Sequence, residues 1–235
     1  MGVRPQRQQQ RFRPIYLVLH KLFPSTALWP RLIALGYMRQ MQAHPPGPER
    51  RREADLALAW LSRTERLAAA KRERPLPELW RVQGLSSFAR AAVEAGRLDL
   101  AEQCATLLLD LPGLLKDEDV PPHVSQGEDG LHDAHIVLGK VALARGHVEE
   151  AERNLFVSVQ LPPRSGAFTT FGPDMELAQA LLASGRRETV LSYLRACRRF
   201  WRMGVEQLDD WISEIDRRWN TQLQRPTVSV LPAPP

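Results

Sequence analysis

The chain has 235 residues, of which 43% are hydrophobic and 25% charged, which suits a packed core and excludes global disorder. Two cysteines in a chain of this length exclude a disulfide framework, and we expect two reduced thiols and a cytoplasmic location. The net charge of +5 is uneven, because residues 1–74 hold 15 Lys or Arg and 5 Asp or Glu, whereas the rest holds 17 and 22. This asymmetry is typical of an N-terminal segment that faces nucleic acid or a membrane.

The first 48 residues predict a tail and an amphipathic segment. Residues 1–14 are polar and basic, so we expect a disordered tail. Residues 15–48 form the amphipathic segment, in which the apolar run 15–23 is too short to span a bilayer and lacks a signal-peptide cleavage site. A helix is predicted over 27–42, followed by a linker at HPPGP. Its predicted inner face carries Leu28, Leu32, Leu35 and Met38.

Two interpretations of this predicted helix stay open. It can dock on the end of the helices that follow. Alternatively, it can lie at a membrane interface and use Phe12, Tyr16, Trp29 and the flanking arginines.

Residues 49–220 predict a helical domain. Its first helix covers 49–72, turns Leu56, Trp60 and Leu67 toward the core, and opens with three arginines at 50–52 that we expect to be solvated. Three helix pairs follow over 79–111, 131–163 and 175–201, and each reverses at a glycine that can adopt positive φ. Long loops at 113–130 and 164–172 separate the pairs. A final helix is predicted over 206–219, and 221–235 predicts a disordered C-terminal tail.

The central pair has a small residue in the first helix, a glycine at the turn, an alanine five residues later and a closing proline, the first pair matches three of these positions, and the third pair matches two. The residues at these positions are Ala89, Gly96, Ala101, Gly139, Gly146, Ala151, Pro163, Ala178 and Gly185. This pattern resembles the tetratricopeptide repeat over roughly residues 84–201. The usual large aromatic residue near the start of the first helix is missing, and 50 and 39 residues separate the turn glycines, against about 34 in a regular array. Residues 132–201 also resemble the helical-repeat part of uncharacterised bacterial proteins.

The resemblance implies an all-α, right-handed solenoid of antiparallel helix pairs with loop insertions. It implies a protein-binding adaptor or scaffold that holds a peptide or protein segment, preferably an acidic one, in a concave groove. The family's groove-facing positions correspond to Gln83, Ser86, Arg90, Asp133, Lys140 and Gln179. Arg90, Lys140 and Gln179 occupy the same repeat position and would form a row of hydrogen-bond donors.

The sequence carries no phosphate loop, dinucleotide fingerprint, nucleophile elbow or HExxH motif. We therefore expect neither an enzyme nor a cofactor nor a small-molecule substrate. His132 and His135 stand three residues apart, but their spacing matches no established site, so we expect no metal. The alternative function is binding of nucleic acid or an anionic membrane surface through the basic residues 1–52. The identity of the partner stays open.

Overall fold

The computed structural model describes residues 13–70, 78–114, 126–160 and 172–223. Within these ranges the chain forms ten α-helices, one short 3-10 helix at Arg202–Gly204 and no strand, which confirms the expected all-α class. The helices are α1 Arg13–Leu22, α2 Leu28–Ala43, α3 Pro48–Ala70, α4 Glu78–Glu94, α5 Leu98–Leu114, α6 Gln126–Ala144, α7 Val148–Val157, α8 Glu176–Ala183, α9 Arg187–Cys197 and α10 Val205–Leu223. In the described ranges, every helix is too short or too polar to cross a bilayer.

The chain divides into two compact units, residues 1–165 and 166–235. In unit 1 each helix packs against the next in sequence from α1 to α7, and α4 also contacts α6 directly. One continuous core joins α2 to α6, and it includes Ile33, Met41, Ala54, Ala92 and Val137. Helix α2, which precedes the HPPGP loop, is therefore part of the core of unit 1. The four-part division predicted from the sequence stays a prediction.

The buried face of α2 differs from the predicted one. Leu28 is exposed, and Leu32 and Leu35 are only partly buried. The face that is buried consists of Pro30, Ile33, Ala34, Tyr37, Met38 and Met41. Of the predicted face, only Met38 is buried in the core. The leucine spacing predicts the wrong side of α2 for the other three residues, because a stripe of aromatic, Met and small side chains packs beside the alanines of α3.

Three helix ends also extend beyond the predicted bounds. Helix α1 begins at Arg13, inside the predicted tail. Pro14 lies in its first turn, where backbone N–H groups have no partner within the helix, so a proline is tolerated there. Residues 113–114 and 126–130 are helical rather than loop, and the acidic residues at 128 and 129 suit the N-terminus of α6. Helix α10 continues to Leu223, since the first proline to interrupt it is Pro226. The remaining predicted tail and loop residues, 1–12, 115–125, 164–171 and 224–235, lie outside the described part, as do residues 71–77 and 161–163.

Unit 2 consists of α8, α9 and α10, with α9 packed between the other two. The Tyr193 side chain is fully buried, and its hydroxyl donates to the Asp174 carbonyl at 3.0 Å. The indole of Trp201 lies against the backbone at Gly172 and Gly204 and 5.8 Å from the Trp211 ring, measured between ring centroids. Unit 2 therefore has its own packed interior.

Candidate functional site

Three turns of the same geometry join the paired helices. Gly96, Gly146 and Gly185 have φ of 75°, 83° and 81°. In each turn the glycine N–H donates to the carbonyl three residues earlier, and the next N–H donates to the carbonyl five residues before it, at 2.8–3.0 Å. These two bonds define the Schellman ending of a helix, which a glycine at positive φ makes possible. The first helix of each pair therefore ends in the same way.

Residues at equal distances from these glycines occupy equivalent environments. Seven residues before the glycine, Ala89, Gly139 and Ala178 are all buried. Five residues after it, Ala101 and Ala151 are fully buried, and Val190 takes that place in the third pair. Pro163 lies outside the described residues. Both positions are buried in all three pairs, and the residue seven places before the glycine is small in each.

The first helices of two successive pairs meet directly in unit 1. Helix α4 contacts α6, although α5 lies between them in sequence, and Arg90 Nη1 donates to Asp133 Oδ1 at 3.2 Å. Both side chains are about a quarter exposed. The two predicted groove residues are therefore brought together, and they bind each other.

A second ion-pair cluster joins these two helices to α3. Glu94 of α4 accepts a hydrogen bond from Lys140 Nζ of α6, and its other carboxylate oxygen accepts one from Arg50 Nε of α3 at 2.5 Å. All three side chains are largely buried. We call Arg50, Arg90, Glu94, Asp133 and Lys140 the first-helix face. It holds three cations and two carboxylates.

Two other predicted groove residues, Ser86 and Gln179, take no part in these contacts. Ser86 is buried on α4, so its hydroxyl is turned away from solvent. Gln83 lies on α4, but its side chain is outside the described residues. Gln179 is exposed on α8 in unit 2.

Sequence reasoning missed two members of the first-helix face, Arg50 and Glu94. The sequence predicts that Arg50 is solvated with Arg51 and Arg52, and those two are exposed, but Arg50 is buried against Glu94. A signal for Glu94 is present, because it is the only acidic residue in α4 after Glu78. A carboxylate that is buried needs a cationic or hydrogen-bonding partner.

An open cleft of about 750 Å³ lies at the turn end of unit 1. Its apolar lining comes from Leu58 of α3, Phe88 of α4 and Leu100 of α5. Two arginines at its rim bind carboxylates, since Arg145 donates to Asp99 and Glu102 at 2.8 Å and Arg97 lies 3.8 Å from Asp55. The hydrogen bond to Glu102 is the main cause of a raised pKa at the Arg145 guanidinium.

Both cysteines and Tyr193 favour their neutral forms. Burial raises the pKa of Cys197 to about 12, and it also raises the pKa of Cys104 and of the Tyr193 hydroxyl. Neither thiol therefore ionises near neutral pH, whereas a nucleophilic cysteine needs a depressed pKa.

The two histidines considered as metal ligands join α6 to the end of α7. His132 Nδ1 is 3.0 Å from the Ser158 carbonyl oxygen, and His135 Nδ1 is 3.0 Å from Asn154 Oδ1. Across the described ranges, no group of three or more His, Cys, Asp or Glu side chains is arranged to hold a metal ion.

Comparisons of this chain with protein-family models, with curated proteins and with solved structures found no match. The geometry of the helix pairs and of the first-helix face is therefore the basis for the functional argument.

Proposed function

We propose that this chain is a non-enzymatic adaptor or scaffold whose helix pairs stack as a tetratricopeptide-like, right-handed α-solenoid. It binds a peptide or protein segment in the concave groove of the stacked pairs. The first-helix face is the part of unit 1 that meets this segment.

The supporting observation is the direct contact between α4 and α6. Helix α4 contacts α6 as well as α5, so the first helices of two successive pairs lie side by side. Stacks built in this way produce an extended surface lined by first helices, and such surfaces serve repeat proteins as binding sites. The matching Schellman turns support the same arrangement, since each pair reverses with one geometry.

The charges on the first-helix face favour an acidic segment. Arg90 and Asp133 are the most exposed members, and their pairing fixes the guanidinium in position without removing it from solvent. The Arg90 side chain is about a quarter exposed, and arginine binds carboxylates in charge-assisted contacts. A carboxylate of the partner can therefore bind the same arginine, in a charge-assisted contact.

The test exchanges the two members of that pair. The double variant Arg90→Asp/Asp133→Arg keeps an ion pair and the net charge but moves the guanidinium to α6. The matched control is Arg198→Asp/Asp209→Arg, which exchanges a half-exposed pair in unit 2. The full chain would be immobilised and used to select peptides from a random display library, and affinities would be measured by fluorescence anisotropy.

We expect the wild type and the control to enrich the same acidic peptides. The exchange on the first-helix face should weaken their binding by about tenfold or more, as expected for one lost charge-assisted hydrogen bond. Equal affinity in all three proteins, or selected peptides with no acidic preference, would refute this binding face. If the exchange does weaken binding, capture from lysate with the same three proteins would identify the physiological partner.

A further inference from the structure

The exposed apolar side chains of the described residues are concentrated near the N-terminus. In the described ranges, seven large apolar side chains are at least 40% exposed, and four of them lie between residues 18 and 28. Their exposed fractions are 55% for Val18, 65% for Leu22, 54% for Phe23 and 40% for Leu28. Isolated exposed apolar residues are normal on proteins, but a cluster indicates a surface that binds something. We call these four residues the N-terminal patch.

Helix α1 is apolar on two sides. Tyr16 and Leu17 pack against the core of unit 1, and His20 is buried. Val18 and Leu22, four residues apart, form a stripe on the outer side. A helix on a protein surface normally has a polar outer face. The packing of unit 1 therefore does not explain why the outer stripe of α1 is apolar.

The patch is narrower than the interfacial segment expected from the sequence. Two of the aromatic residues proposed for a membrane interface, Tyr16 and Trp29, stack on each other with ring centroids 6.4 Å apart. Helix α2 buries one face in the core of unit 1. The exposed apolar surface is therefore confined to the outer stripe of α1, the tip that follows it and the start of α2. All five residues from Lys21 to Ser25 in that tip are exposed.

The positive charge of the N-terminal sequence indicates what kind of surface binds this patch. The first 48 residues hold seven Lys or Arg and no Asp or Glu, and five of the seven occur at or before residue 21. Lys21 is exposed within the patch itself. Apolar side chains within a cationic stretch of sequence match the surface of an anionic bilayer, where headgroups attract the cations and the acyl boundary receives the apolar side chains. Two copies of the chain that met here would instead oppose two cationic segments.

We propose that the N-terminal patch docks this protein on membrane surfaces rich in anionic phospholipid. Val18, Leu22 and Phe23 enter the headgroup region, and Lys21, which is exposed among them, binds a lipid phosphate. The protein lies on the bilayer and does not cross it. This inference is independent of peptide binding at the first-helix face.

The test is co-sedimentation of the full chain with vesicles of phosphatidylcholine alone and of phosphatidylcholine mixed with phosphatidylglycerol. The patch variant is Val18→Ser/Leu22→Ser/Phe23→Ser. The matched control is Leu107→Ser/Phe156→Ser/Met203→Ser, which removes three exposed apolar side chains elsewhere. Circular dichroism verifies that both variants keep the helical content of the wild type.

We expect the wild type and the control to bind the mixed vesicles and the patch variant to bind about tenfold or more weakly, because its apolar contribution is lost. Binding of the wild type should fall with added salt and be weaker on pure phosphatidylcholine. Equal vesicle binding by the wild type and the patch variant would overturn the proposal. So would a wild type that binds a DNA duplex but no vesicle, or a dimer that the patch substitutions dissociate.

Discussion

Arg50 of α3 donates from Nε to Glu94 Oε2 of α4 at 2.5 Å, and the two side chains are only 9% and 12% exposed. The other oxygen of the same carboxylate accepts a hydrogen bond from Lys140 of α6. One carboxylate thus binds cations from two other helices. Because burial removes water from all three groups, the loss of Glu94 would leave two poorly solvated cations beside each other.

Replacement of this carboxylate should destabilise unit 1 strongly. We expect Glu94→Gln to lower the free energy of unfolding by about 2–4 kcal/mol, the cost of breaking a largely buried ion pair from one side. Lys140→Met should cost less, because Glu94 retains Arg50. Urea unfolding monitored by circular dichroism measures both. The control Glu188→Gln removes a well-exposed carboxylate paired with Arg187 and should cost no more than about 0.5 kcal/mol. Equal losses for Glu94→Gln and Glu188→Gln would contradict the assigned role of Glu94.

Gly204 is required by the position of Trp201. A Cβ at residue 204 would lie 2.1–2.4 Å from three carbons of the indole, and one at Gly172 would lie 2.6–2.8 Å from the same atoms. Gly204→Ala must therefore displace a ring that also packs near Trp211. We expect a loss of about 2 kcal/mol or more in the stability of unit 2, as for an overpacked core, and a changed near-ultraviolet circular dichroism spectrum.

Gly36→Ala provides the control for that substitution. Gly36 lies within α2, and a Cβ added there would meet no other group within 4 Å. Alanine favours the helix over glycine by about 0.5–1 kcal/mol, so this variant should be as stable as the wild type or more stable. A thermal unfolding midpoint for Gly204→Ala that equals or exceeds that of Gly36→Ala would show that the indole moves aside at little cost.

The turns of this fold are predictable from the sequence, because they depend on local chemistry. A glycine between two apolar stripes predicts a helix end and a chain reversal, and Gly96, Gly146 and Gly185 all occupy such turns. Burial of Ala89, Ala101 and Ala151 follows from the same local pattern, since small residues recur at fixed distances from the glycine.

The ion pairs and the outer surfaces are less predictable. Glu94 meets partners 44 and 46 residues away, and no periodicity within one helix reveals which charges on other helices lie opposite it. The predicted donor row places Arg90 and Lys140 on adjacent first helices, but it does not reveal that each binds a carboxylate of unit 1. Helix α1 escapes prediction because its apolar residues face both the core and solvent, which removes the one-sided pattern.

Both cysteines should resist modification while the chain is folded. Cys104 and Cys197 are buried, and burial raises the pKa of the Cys197 thiol to about 12. The thiolate is the reactive form, so neither residue supplies a nucleophile at neutral pH. We expect an aromatic disulfide reagent to react slowly with the native protein and to modify both thiols rapidly in denaturant. Rapid reaction of one thiol in the native protein would show that its helix opens readily.

His20 connects α1 to α3 through a hydrogen bond that requires a neutral imidazole. Arg63 Nε donates to His20 Nε2 at 2.9 Å, so that nitrogen must carry a lone pair. The ring is buried and lies edge-on to Trp60, with centroids 5.4 Å apart. Burial first, and the nearby Arg63 charge second, lower the pKa of His20 below its ordinary value of 6.5. The unfolded chain therefore binds a proton at this residue more readily than the folded chain does.

Stability should consequently depend on pH through His20. Its contribution is fully present above the ordinary pKa of 6.5 and is lost as the pH falls through the lower folded pKa, where both states are protonated. The variant His20→Gln keeps an acceptor for Arg63 but cannot titrate. We expect the difference in unfolding free energy between wild type and variant to be constant above about pH 7. As the pH falls toward about 5, the wild type should lose stability relative to the variant. Urea unfolding at a series of pH values measures this difference, and the other histidines cancel because both proteins contain them. A difference that stays flat over the whole range would mean that His20 has the same pKa in the folded and unfolded chains.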